Sequence, residues 1–333
     1  MLKSLAISCL LALAVGCTTQ TGRELSTRDG VGELSQSVSL PPPARGFQVE
    51  TAGIRIEPGD DVRLCEVVAL PGTPSDTYYV NRIETALSRH GDDLVVSAAR
   101  PQSETAAIMD VGSSVPCTRA GEAFGEELAD VVATQSRYHD ESFPSGVGKV
   151  FHGGQKLAVE YHYVNDTADA VPAKAKLSFH VVDPGAVQHL ARTASFSNLT
   201  IYTPPGGESS HLGECALHED VTISSLVRRS QRFATDFAVW RVGGQHDGEL
   251  LWQSDDPTHS RLDISGQPLQ FAPGEGLRFQ CGFRNTTDRE LRYGVSAADD
   301  TCTLNATFWA KDEAAAQPEG CLLFSVDEDG VAR

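Results

Sequence analysis

Apolar and polar residues alternate over several short stretches of this chain of 333 residues. Residues 157–163, 277–283 and 302–308 each carry an apolar side chain at every second position. Alternation with a period of two is typical of half-buried antiparallel strands. Turn-forming Gly, Pro, Asn and Asp residues separate such stretches, for example at 57–60 and 204–207. We therefore predict an all-β fold made of antiparallel β-sandwiches.

One window has a helical spacing instead, with apolar residues at Phe124, Leu128, Val131 and Val132, and it predicts a helix over 121–132. No internal repeat is visible in the sequence. A folded part of about 290 residues exceeds a typical single core, which favours two domains. We place the boundary between 184 and 205, and the predicted domains are 47–190 and 191–333.

The first seventeen residues have the layout of a bacterial lipoprotein signal. Lys3 gives a positive start, residues 5–15 are mostly apolar, and small residues precede Cys17. We predict that residues 1–16 are removed and that lipid on Cys17 anchors the exported protein to a membrane. Thr18 favours sorting to the outer membrane or another periplasm-facing site, by resemblance to other lipoproteins. The alternative is an ordinary cleaved signal in which Cys17 is incidental.

Residues 17–46, rich in Ser, Thr, Gly and Pro, predict a disordered tether.

The charge and the cysteines restrict the classes of partner and site. The chain has 27 basic and 45 acidic residues. Such an acidic surface repels phosphate backbones, so nucleic acid is not an expected partner. Six cysteines follow Cys17 and none forms a C-x-x-C pair. In an exported protein they predict three disulfides, whose pairing the spacing alone leaves open.

Several segments, in order, are similar to strands of one enzyme family. They are residues 64–71, 143–154, 159–165, 237–242, 271–281 and 299–304. Together they resemble the copper type II, ascorbate-dependent monooxygenases, the family of the peptidylglycine α-hydroxylating and dopamine β-monooxygenases. The resemblance implies two tandem jelly-roll-like antiparallel β-sandwiches that face each other across a solvent-filled cleft. It also implies a set of disulfides: Cys65–Cys117, Cys215–Cys321 and Cys281–Cys302.

The copper ligands that the resemblance implies are mostly missing. Only His162 has a clear counterpart. His90-Gly91 stands where a His-His pair is expected, and His246 lies near a missing H-x-H. Thr301 stands where a methionine should precede a cysteine, and Met109 is the only methionine besides Met1. Imidazole and thioether are the groups that suit copper, and Gly and Thr do not replace them.

Two interpretations of His162 remain open from the sequence. It could join His90, Asp92 and Asp93 in a mixed nitrogen and oxygen metal site, which would favour an ion such as Zn²⁺. Otherwise it is a histidine at the surface or between the domains whose ring is hydrogen-bonded, and Asp92-Asp93 is a solvated hairpin turn. His246, next to Asp247-Gly248, is also typical of a turn.

Three functions follow from these observations. The first is a ligand-depleted, non-catalytic scaffold that binds an unidentified protein or small molecule, or serves as an envelope component. The second is an active copper monooxygenase that hydroxylates a C–H bond with O2 and ascorbate. The third is a metal-binding protein with a single site at His162. We expect the first, because the sequence provides so few of the copper ligands.

Overall fold

The structure is a computed structural model that describes residues 38–117, 123–124, 128–256, 259–294 and 298–312, and the backbone of 321–323. The predicted signal 1–16, Cys17 and most of the predicted tether lie outside these residues. The described chain is all-β in class, as predicted, with very little helix, and its strands form mainly antiparallel sheets stacked as sandwiches. No helix in this part of the chain is long and apolar enough to cross a membrane.

The first sandwich consists of strands β1 to β13 and a short helix. In chain order the elements are β1 Gly46–Glu50, β2 Ile54–Ile56, β3 Asp61–Ala69, β4 Thr77–Leu87, β5 Gly91–Ala99, α1 Glu104–Ile108, β6 Ser114–Pro116, β7 Leu128–Thr134, β8 Tyr138–Ser142, β9 Gly146–His152, β10 Lys156–Val164, β11 Val171–Ala173, β12 Ala175–Val182 and β13 Val187–Leu190. One sheet has the order β1-β12-β4-β9-β13, with β8 also paired to β4, and the other has the order β6-β3-β10-β5-β7. Strands β2 and β11 form a separate ribbon.

The second sandwich consists of strands β14 to β25. In chain order they are β14 Arg192–Asn198, β15 Tyr202–Thr203, β16 Glu208–Ala216, β17 Val221–Arg229, β18 Ala234–Val242, β19 Leu250–Ser254, β20 Arg261–Asp263, β21 Leu269–Phe271, β22 Gly276–Arg284, β23 Leu291–Arg292, β24 Thr303–Ala310 and β25 Cys321–Leu323. One sheet has the order β20-β17-β24-β14-β25, with β21 also paired to β17, and the other has the order β16-β22-β18-β19. Strands β15 and β23 form a ribbon that matches β2 and β11.

The two sandwiches repeat one topology, although no repeat is visible in the sequence. Strand β10 lies between β3 and β5 in the first, and β22 lies between β16 and β18 in the second. Strand β12 lies between β1 and β4, just as β24 lies between β14 and β17. A buried Asn directly follows each of β10 and β22, Asn165 and Asn285, and its side-chain oxygen accepts hydrogen bonds from a Thr two residues later. The fold is therefore an internal duplication with few shared side chains.

Each sandwich has its own apolar core. The alternating residues of β10 and β22 supply it, because Leu157, Tyr161, Leu277 and Phe279 are fully buried. The prediction of half-buried strands is wrong for β10, whose second face is buried as well.

Disulfides join Cys65 to Cys117 and Cys281 to Cys302. Cys215 is also disulfide-bonded, and the side chain of Cys321 lies outside the described residues.

Two segments differ from the sequence-based expectations. The window 121–132 is not one helix, because Val131 and Val132 lie in strand β7, which pairs with β5. Leu128 and Val132 are four residues apart, which fits one face of a helix and also one face of a strand, and the β-branched Val131 and Val132 fit a buried strand. The end of the predicted tether is ordered on the first sandwich. Val38 and Leu40 are buried against Ala86 of β4, which removes their apolar side chains from water.

Candidate functional site

His162 lies in β10, between Arg63 of β3 and Asp93 of β5. Its side chain is 9% exposed. The Nδ1 atom is 2.8 Å from Oδ1 of Asp92, and the Nε2 atom is 2.8 Å from Oδ1 of Asp61. Burial lowers the pKa of the ring, but the hydrogen bonds and charges of the two carboxylates outweigh it and hold the pKa of His162 above its ordinary value. The ring therefore favours an imidazolium that donates from both nitrogens.

A buried ion cluster adjoins His162. It consists of Arg63, Asp93, Glu160 and Arg229, of which only Arg229 belongs to the second sandwich. Arg63 Nη1 donates to Asp93 Oδ2 at 2.7 Å and to Glu160 Oε1 at 2.8 Å. Arg229 donates to both oxygens of Asp93, at 2.9 and 3.1 Å. The cluster contains two cations and two anions, so its formal charge balances while it joins the two sandwiches.

The two carboxylates of the cluster have opposite pKa shifts. Burial opposes ionisation of Asp93, but Arg229 and Arg63 outweigh it and hold the pKa of Asp93 well below its ordinary range. For Glu160 burial dominates, so the pKa of this carboxyl is raised although the same two arginines lower it. Asp93 therefore stays ionised, and both guanidinium groups donate hydrogen bonds to its carboxylate.

More polar contacts join the sandwiches around this cluster. Lys149 Nζ donates to Thr193 Oγ1 at 2.8 Å, and Ser195 Oγ donates to Asp130 Oδ2 at 3.0 Å. Ser230 N donates to the side chain of Gln135 at 3.1 Å. Burial lowers the pKa of the Lys149 ammonium group. The expectation of a solvent-filled cleft is therefore wrong for the described surfaces, because charged and hydroxyl side chains bond across it.

Of the other predicted metal residues, Asp92 contacts His162, whereas His90 and His246 face other carboxylates. His90 Nδ1 lies 3.6 Å from Asp166 Oδ1. His246 is in a short 3-10 turn, Gly244–His246, and lies 3.5 Å from Glu249 with its side chain 59% exposed. The solvated-turn interpretation of Asp92-Asp93 is wrong for Asp93, which is 4% exposed within β5.

These residues do not fit a copper centre. A metal needs an imidazole lone pair, and both ring nitrogens of His162 already face carboxylates. Met109, the one candidate thioether, is fully buried against Cys65 and Ala158 in the first sandwich. Within the described ranges, no group of three His, Cys, Asp or Glu side chains could hold a metal ion.

Sequence reasoning overlooked Arg63 and Arg229. Arg63 lies two residues before Cys65 in a largely apolar strand, and Arg229 ends the stretch Leu226-Val227-Arg228-Arg229. Both are charged residues inside apolar strands, and Glu160 is a carboxylate inside another apolar strand. Charged residues of opposite sign in such strands could have indicated a buried ion pair.

No known protein family's sequence profile matches the chain, and no curated protein matches it in sequence. Among solved structures, the STIV MCP has a TM-score of 0.34 at 8% identity, covering 81% of this chain and 99% of that chain. PNGF-II in space group P21 has a TM-score of 0.32 at 9% identity, covering 80% and 66%. The major capsid protein P2 from Bacteriophage PM2 has a TM-score of 0.23 at 7% identity, covering 75% and 97%. Likeness at these scores assigns the chain to no family.

Proposed function

We propose that this chain is an exported envelope lipoprotein that does not perform copper catalysis. In this proposal a two-sandwich scaffold resembling the copper type II monooxygenases serves as a binding or structural module. Lipid on Cys17 would attach it to a membrane, and the segment that follows would hold the folded part away from the surface.

The state of His162 carries the proposal. It is the one clear counterpart of a family copper ligand, and both of its ring nitrogens face carboxylates at 2.8 Å. Carboxylates in these positions favour a proton on each nitrogen, which leaves no lone pair for a metal. In this proposal His162 is a protonated imidazole that stabilises the fold through its two hydrogen bonds.

The ion cluster supports the same conclusion at the level of the sandwiches. Arg229 of the second sandwich bonds to Asp93 of the first and so links the surfaces that the resemblance would place across an open cleft. A buried, charge-balanced contact fixes one arrangement of the two sandwiches, which suits a rigid module. The disulfides Cys65–Cys117 and Cys281–Cys302 agree with the pairs that the resemblance implies, so they support a related scaffold.

Metal loading tests this proposal. The full chain with its disulfides intact is incubated with Cu(II) or Zn(II), desalted and analysed for bound metal per chain. We expect no stoichiometric metal, and the same result for His162→Ala and for the exposed control His246→Ala. Two retained coppers per chain would instead support the monooxygenase. One metal that is lost only in His162→Ala would support the single-site protein.

A further inference from the structure

A cavity of about 400 Å³ opens in the second sandwich. The loop that joins β17 to β18 and the start of β18 form one side of it, with Arg232, Phe233 and Thr235. The end of β22 and the turn after it form the other side, with Arg284 and Thr286. The volume lies within the range of pockets that hold small molecules.

Buried groups hold both sides of this cavity in place. Asp300 is fully buried, and its carboxylate accepts hydrogen bonds from the backbone N–H of Gln231 and, at 2.9 Å, of Phe233. Asn285 is 1% exposed and donates to the backbone carbonyls of Thr203 and Arg289. The cavity therefore exists before any ligand arrives, which reduces the entropy lost on binding.

The charge that borders the cavity is positive. Arg232 has no carboxylate within ion-pair distance among the described residues, and its guanidinium carbon lies 4.7 Å from the Phe233 ring centroid. Arg284 pairs with Glu208 at 2.7 Å, but the two side chains are 63% and 67% exposed. A pair that exposed contributes little, so Arg284 can turn to a ligand at small cost.

The first sandwich has different residues at the equivalent positions. Gly91 faces Tyr163, and Ala234 faces Phe283, with a β-bulge at the next residue in both cases. The bulged residue is Asp92 in the first sandwich and Thr235 in the second. The residue after the buried Asn is Asp166 in the first and Thr286 in the second, whereas Val164 is replaced by Arg284. At these equivalent positions the second sandwich therefore has two fewer acidic residues and one more basic residue than the first.

We propose that this cavity binds a small molecule through an oxyanion group, either a carboxylate or a phosphate. The planar fork of a guanidinium group matches both groups, with two parallel N–H donors. Thr286 adds a hydroxyl at the border, and Phe233 and Ala234 offer an apolar wall to the rest of the ligand. The inference goes beyond the scaffold role, since it needs neither the family resemblance nor the state of His162.

Isothermal titration of the full chain with inorganic phosphate, and separately with benzoate, tests the inference. We expect one saturable site for at least one probe, and the probe that binds identifies the oxyanion class. Arg232→Gln should weaken binding about tenfold or more, because a charge-assisted hydrogen bond is lost. Thr286→Asp should abolish it, since it returns the carboxylate that the first sandwich has in Asp166. Circular dichroism verifies that each variant is folded.

Arg278→Gln is the matched control. Arg278 lies on the same strand as Arg284 and pairs with Glu214 at 2.7 Å, but it does not line the cavity. Its loss should leave the affinity unchanged. The inference fails if neither probe saturates the unmodified chain, or if Arg278→Gln weakens binding as much as Arg232→Gln, because binding would then reflect general surface charge.

Discussion

At the scale of single residues, His162 shows how neighbours decide the role of an imidazole. In a site of histidines its lone pair would be available to a metal. Here Asp61 and Asp92 face its two nitrogens, whereas burial and the charge of Arg63 oppose protonation of the ring. The carboxylates prevail, so the folded state favours the charged ring.

We expect His162→Asn to destabilise the protein most at acidic pH. Because the pKa of the ring is raised in the folded state, its contribution is complete below the ordinary histidine pKa of about 6.5. It is lost as the pH rises through the raised value. Urea unfolding from about pH 5 to about pH 9 should show a deficit of about 2 kcal/mol that shrinks towards alkaline pH. The exposed His246→Asn should stay within about 0.5 kcal/mol throughout. A deficit that grows with pH would contradict a charged His162.

At the scale of elements, the two buried asparagines show which contacts the duplication kept. Asn165 directly follows β10 and Asn285 directly follows β22, and each bonds the backbone of its own ribbon strand and of the turn that follows. Each thereby ties a central strand of its sheet to the ribbon of the same sandwich. An amide suits this role, because one side chain both donates and accepts.

Asn165→Ala and Asn285→Ala should each lower the free energy of unfolding by about 2 kcal/mol, because buried carbonyls lose their donors. Urea unfolding measures both variants. Thr167→Ser and Thr287→Ser keep the hydroxyl that donates to each asparagine, so they should change stability by less than about 0.5 kcal/mol. A large loss in one sandwich with none in the other would show that the two turns are not equivalent.

The two described disulfides close loops of different length, each within one sandwich. Cys65 and Cys117 are 52 residues apart, and Cys281 and Cys302 are 21 apart. Loop-closure entropy then predicts a loss of about 4 kcal/mol for the Cys65→Ala/Cys117→Ala variant and about 3 kcal/mol for Cys281→Ala/Cys302→Ala. Guanidinium unfolding of both double variants checks the order. The reverse order would mean that packing rather than loop entropy dominates.

At the scale of the whole molecule, the ion cluster decides how the sandwiches are joined. Arg229 lies at the end of β17 and crosses to Asp93, which is 136 residues away in the sequence. Asp93 and Glu160 are almost fully buried, with side chains 6% and 3% exposed. Removing one partner of such a group leaves a carboxylate without full compensation.

We expect Arg229→Met to lower the free energy of unfolding by about 3 kcal/mol. Asp93→Asn in the same chain should recover part of the loss, because it removes the charge left behind, and a double-mutant cycle in urea measures that coupling. The exposed arginine variant Arg278→Met should cost less than about 1 kcal/mol. Additive effects of Arg229→Met and Asp93→Asn would mean that the two side chains do not depend on each other.

The sequence predicted the fold class because alternation is a local signal, visible in 157–163 without knowledge of the partners. It failed at 121–132, where the strand β7 exists through pairing with β5. It could not find the ion cluster, since Asp93 and Arg229 are brought together only by the packing of the sandwiches. It also missed the duplication, because equivalent positions such as His162 and Gly282 need only fit the same backbone.

The short segment before β1 has a consequence for assembly. The second sandwich contacts the first through the outer face of its β14-β24-β17 sheet, with Thr193, Ser195 and Arg229. On the first sandwich the corresponding outer face carries Ala86 and Ser178, and residues Val38 to Pro41 cover it. Head-to-tail contacts of this kind can continue indefinitely unless something blocks the free end. The segment Val38 to Pro41 therefore occupies the face on which a further sandwich would have to dock in the same way.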